Sequence, residues 1–172
     1  MKLTEPATML TDYALALLCA FFALTLYRRS DGRGTGLWVA AFSVTGIAAL
    51  AGGTAHGFRV PLGETWGVVW KITVVSIGAG SALLIAAGAL SALRPQAQEE
   101  RTRREGVLWL KRAIGVSLAA LAVLVLKLSP HADFNHNDLY HVIQMVGLYC
   151  LYRGALSLSG LSGSGRRPET GS

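Results

Sequence analysis

Five stretches of the chain are almost wholly apolar, and polar clusters separate them. They run Pro6–Tyr27, Gly36–Phe58, Glu64–Leu93, Gly106–Leu128 and Asn135–Leu158. A helix needs about 20 apolar residues to cross a bilayer core, and each stretch reaches that length. The third is long enough for two short helices. Nothing within its Trp66–Leu93 part is a proline or a polar loop, so one tilted helix is the simpler expectation. In the first stretch Arg28 and Arg29 follow the apolar run instead of preceding it, which reads as a retained helix and not a cleaved leader.

Composition supports a bilayer as the solvent. The 172 residues are 52% hydrophobic and only 15% charged, against about 25% charged in a typical soluble domain. A net charge of +6 would point to nucleic acid in a soluble protein. Here the basic residues fall in alternate connections: Arg28, Arg29 and Arg33, then Arg94, Arg101, Arg103 and Arg104, then Arg153, Arg166 and Arg167. The other two connections hold one Arg between them. Basic loops mark the cytoplasmic side, so the chain is expected to be an all-α, polytopic membrane bundle of five transmembrane helices. Its N-terminus would be outside and its C-terminus cytoplasmic, in a bacterial inner (plasma) membrane, with membrane lipid as partner and no nucleic acid. Residues 1–158 form the bundle in this reading, and the Gly/Ser-rich 159–172 a disordered cytoplasmic tail. Cys19 and Cys150 lie inside apolar runs and read as small buried hydrophobes.

That topology brings all four histidines to the outer end: His56 at the end of the second span, His131 in a loop, and His136 and His141 at the start of the fifth. Asp12 lies one to two turns into the first span, too deep to act as a cap without leaving that span short. In the stretch DFNHNDLYHVIQMV, Asn135 and Asp138 have the spacing of an N-cap and its partner. Asn137, His141 and Gln144 fall within roughly 60° of one another on a helix, a polar stripe entering the membrane. Buried imidazoles and carboxylates in lipid are costly unless they pair or bind a cation. Two or three His with a carboxylate and an open position form a catalytic zinc set, so His56, His136 and His141 are the candidate metal ligands. Asp12 and Asp138 are the candidate catalytic acid/base groups.

The segments MLTDYALALL, GGTAHGF and DFNHNDLYHVIQMVGLYCLYRGA resemble the signature stretches of a family of small, uncharacterised bacterial multi-pass membrane proteins. More distantly, the layout resembles the superfamily of intramembrane metal hydrolases that includes alkaline ceramidases, progestin and adiponectin receptors and hemolysin III. In position, His56 matches the zinc-binding histidine of that superfamily's second span, and His141 matches one of its last-span pair. The resemblance implies zinc as cofactor and hydrolysis of a lipid amide or ester. Five spans instead of seven, and a pair spaced as His136-x4-His141, depart from that pattern. The alternative expectation is a non-enzymatic protein: a proton- or ion-linked transporter, a small-ligand sensor, or an assembly component. The small-residue faces Ala49–Gly53 and Ser76–Gly80 would then suit homo-oligomerisation.

Overall fold

The computed structural model describes residues 3–29, 35–93, 100–131 and 134–159. It is all-α: α1 (Pro6–Arg29), α2 (Gly36–Gly57), a four-residue α3 (Arg59–Leu62), a 3-10 turn (Gly63–Thr65), α4 (Trp66–Leu93), α5 (Glu100–Val125) and α6 (His136–Leu158). Four segments are long and apolar enough to cross a membrane: Pro6–Arg29, Gly36–Gly57, Arg59–Leu93 and Glu100–Val125. The fifth long helix, α6, is not among them. Its length suffices, but His136, Asn137, Asp138, His141, Gln144 and Arg153 make it more polar than the others. The expected tail falls, from residue 160 on, outside the described residues.

Two boundaries differ from the apolar pattern. Within the third apolar segment the long helix α4 begins at Trp66 and not Glu64, because the positive φ of 50° at Gly63 breaks the chain after α3 and leaves Glu64 in the 3-10 turn. At the other end, α5 starts six residues before its apolar run. ERTRRE is rich in helix formers, and Arg104 donates to Glu100 one turn back at 2.9 Å.

The helices run alternately up and down. α1 packs along α2, α2 along α4, and α5 along α6, each an antiparallel neighbour. The first three and the last two form separate layers joined mainly where α1 lies parallel to α6. α4 touches α5 and α6 little. Gly88 of α4 faces Leu110 of α5.

The core is a column of Leu15, Cys19, Phe22, Leu26, Trp38, Phe42, Leu148 and Tyr152. Phe22 stacks on Tyr152 with centroids 4.3 Å apart and meets Phe42 edge-on at 5.5 Å. Trp38 donates its indole N–H to Ser91 Oγ at 3.0 Å, tying α2 to α4. Outside this column large apolar side chains face outward, among them Leu17, Ile47, Val75, Ile85 and Ile114. A helix that is apolar all round is stable only with lipid or protein about it.

The two ends differ in chemistry. At one end stand Arg28 and Arg29 in the last turn of α1, and Arg101, Arg103 and Arg104 in the first turns of α5. Arg112 and Arg153 flank the Trp109 ring at 4.6 and 4.8 Å, so their charges reach this end along an aromatic face. The histidines and most of the buried polar groups are at the opposite end.

Candidate functional site

Asp12 occupies the second turn of α1, so it is an embedded acid and not a cap. It is 5% exposed. It sits between α2 and α6 because Gly52 leaves room: a Cβ there would come within 3.2 Å of Asp12 Oδ2. On the α6 side Asp12 Oδ1 lies 3.4 Å from His141 Nε2. The other ring nitrogen, Nδ1, is 3.1 Å from Thr11 Oγ1. The imidazole is thus held at both nitrogens by consecutive residues of α1, across 129 positions of sequence from Asp12.

The stripe expected on the last helix forms. Asn137, His141 and Gln144 share one wall of a cavity with Asp12, His56, Trp70 and Tyr140 at its polar end. Beyond them Ile77, Leu84, Leu124 and Leu148 make a mainly apolar floor, with the Ser81 hydroxyl among them. The cavity measures about 390 Å³. Small-molecule sites run from about 300 to 1,000 Å³, mostly apolar with a few placed polar groups.

His56 reaches the same cavity from the end of α2. Its Nδ1 lies 3.0 Å from Glu5 Oε2, and its ring stands edge-on to Trp70 at 5.8 Å. Trp70 stacks on Trp66, whose N–H donates to the Ala55 carbonyl at 3.1 Å, and Arg59 lies over the Trp66 ring at 4.9 Å. A small recess between Glu5, His56, Arg59 and the two tryptophans adjoins this end.

Asp138, the other candidate acid/base group, stands at the start of α6. It is fully buried and does not line the cavity. Its Oδ2 accepts the Asn135 backbone N–H at 2.7 Å, while Asn135 Oδ1 accepts the Asn137 N–H at 2.7 Å, a capping box at the start of α6. Among the described residues, Asp138 Oδ1 and Thr8 Oγ1 are buried without a hydrogen-bond partner. Replacing Asp138 by Ala removes one cap bond, at a cost of about 1 kcal/mol or more. Asp138→Asn keeps an oxygen for that bond and is expected to cost less. Thermal unfolding of the two variants in detergent checks the order.

The candidate metal ligands are not gathered. Among the described residues no three His, Cys, Asp or Glu side chains lie together to hold a metal ion. His56 and His141 line the cavity but each is engaged by an acid, and His136 is off its wall, its backbone N–H donating to Ser129 Oγ at 3.2 Å. His131 pairs with Phe134 in a short bridge outside the cavity. The donor set does not fit a three-histidine zinc centre. Lys71 is exposed on α4 and does not line the cavity.

Sequence reasoning missed Glu5, Thr11, Tyr140, Thr73 and Ser81. Glu5 had a readable signal. The antiparallel register that sets Cys19 against Gly46 and Asp12 against Gly52 also brings Glu5 to His56. Thr11 and Tyr140 had none, because they depend on how α6 returns to α1.

No curated protein and no solved structure matches the chain. A family of unknown function (DUF6962) matches residues 7–100 and 97–159, which take in every long helix and every polar residue named on the cavity wall. The chain belongs to this family of α-helical proteins of unknown function, DUF6962.

Proposed function

We propose that the protein is a five-span membrane protein that binds a small amphiphilic molecule, without catalysis, in a cavity at its outer end. In this reading α6 is the fifth span. It is shielded from lipid on its polar side by α1 and α5, which accounts for its lower hydropathy. The arginine-rich end is cytoplasmic, by the charge bias of membrane loops. The observation that carries the proposal is the Asp12–His141 pair on the wall of a 390 Å³ cavity with an apolar floor. The cavity lies where α4 and α5 scarcely touch. Its likeness to a pocket with a polar head end and an apolar tail end supports a ligand that enters sideways from the outer leaflet.

The test uses octanol as probe. Purified protein in nanodiscs of zwitterionic lipid is expected to bind octanol saturably, about one molecule per chain, above protein-free discs. Gly52→Leu, which fills the space beside Asp12, should abolish that binding. Equal binding by wild type and the filled variant defeats the proposal. Metal analysis of the same preparation serves the hydrolase alternative. One zinc per chain, lost in both His56→Ala and His141→Ala, would favour a metal-dependent hydrolase of lipid amides or esters instead.

A further inference from the structure

We infer that the molecule this cavity takes carries a cationic, ammonium-type head, with Asp12 as its counter-ion. The inference rests on the reading of the cavity as an amphiphile site and names the class of head group. Of the described residues on the cavity wall, Asp12 is the only acid, and none is Lys or Arg. Besides His141, held at both nitrogens, the remaining polar wall is the His56 imidazole, two amides (Asn137 and Gln144), the Tyr140 phenol and hydroxyls, all able to accept hydrogen bonds from an ammonium. Trp70 and Tyr140 add aromatic faces, which attract cations through the ring quadrupole.

The surrounding charges point the same way. Arg59, the guanidinium at this end, lies over the far tryptophan, Trp66, and borders the neighbouring recess instead. Glu5 stands beside His56 and offsets any charge that imidazole takes. An anionic head, a phosphate or a carboxylate, would meet Asp12 with no basic side chain on the wall to receive it. A phosphate-bearing lipid is therefore a poor fit, and a single-chain amine a good one.

The experiment compares octylamine, octanol and octanoate at pH 7 against the same nanodiscs by equilibrium dialysis. Wild type is expected to bind octylamine about tenfold or more tightly than octanol, and octanoate more weakly than either. Asp12→Asn, which keeps the size and hydrogen-bonding reach of the side chain, should bring octylamine down to the octanol affinity. Should that variant not fold, Trp70→Leu is the second arm, expected to weaken octylamine severalfold and leave octanol unchanged. Equal affinities of octylamine and octanol in wild type overturn the cationic head and leave the amphiphile cavity standing. A preference for octylamine that survives the substitution tested overturns it too. Absence of saturable binding by all three probes removes the cavity reading itself, and this inference with it.

Discussion

Phe22→Ala is expected to lower the stability of the bundle by about 3–5 kcal/mol, the usual range for an aromatic truncated in a packed core. Phe22 is 2% exposed and stacks on Tyr152 of α6 while its edge meets Phe42 of α2. It is therefore the side chain through which the three-helix layer grips the last two helices. In lipid the apolar ring gains little from leaving water, so its contribution is packing and ring geometry. Neighbours on rigid helices cannot collapse into the space it leaves. Thermal unfolding in detergent, followed by tryptophan emission, measures the loss. Phe22→Leu refills part of the volume and should recover part of the stability. A fall below about 1 kcal/mol for Phe22→Ala would show that the two layers are held elsewhere.

Gly53→Val is the second large effect, expected at about 1–3 kcal/mol or more from overpacking. A Cβ at Gly53 would stand 2.8 and 2.9 Å from ring carbons of Tyr13 and 3.0 Å from Asp12 Cβ. The Tyr13 ring is held by its hydroxyl, 3.1 Å from Thr54 Oγ1, and Asp12 Cβ moves only with the α1 backbone. So α1 must move away from α2, and the Asp12–His141 geometry must change with it. Gly67, with nothing near its Cβ position, is the control: Gly67→Ala should leave unfolding unchanged. Gly53→Val with wild-type stability would mean that the close approach of α1 and α2 is dispensable.

Much of this architecture could be read before any coordinates. Apolar runs give helix number and approximate ends because, in lipid, every backbone group must be satisfied inside its own helix. The cap at Asn135 and Asp138 was legible for a similar reason: it is local, spanning four residues. The stripe of Asn137, His141 and Gln144 followed from helical period alone. What period could not give is which helix faces it. His56, His136 and His141 were grouped as zinc ligands by their shared end of the bundle; in the fold Glu5 and Asp12 each stand beside one imidazole, and His136 at the first position of α6 stands off the cavity wall. Gly52 and Gly53 read as a surface for close packing, and they are one: both face Asp12. That the gap left there would hold an acid, and that the acid would border a cavity, required the fold.

The α1–α6 pairing bears on biogenesis. Helices α1, α2 and α4 each pack against one made just before or after them, so they can associate while synthesis continues. The acid on α1 must wait for its imidazole until residue 141 has been made. A chain arrested after α5 would hold the Asp12 carboxyl group without the His141 imidazole opposite it.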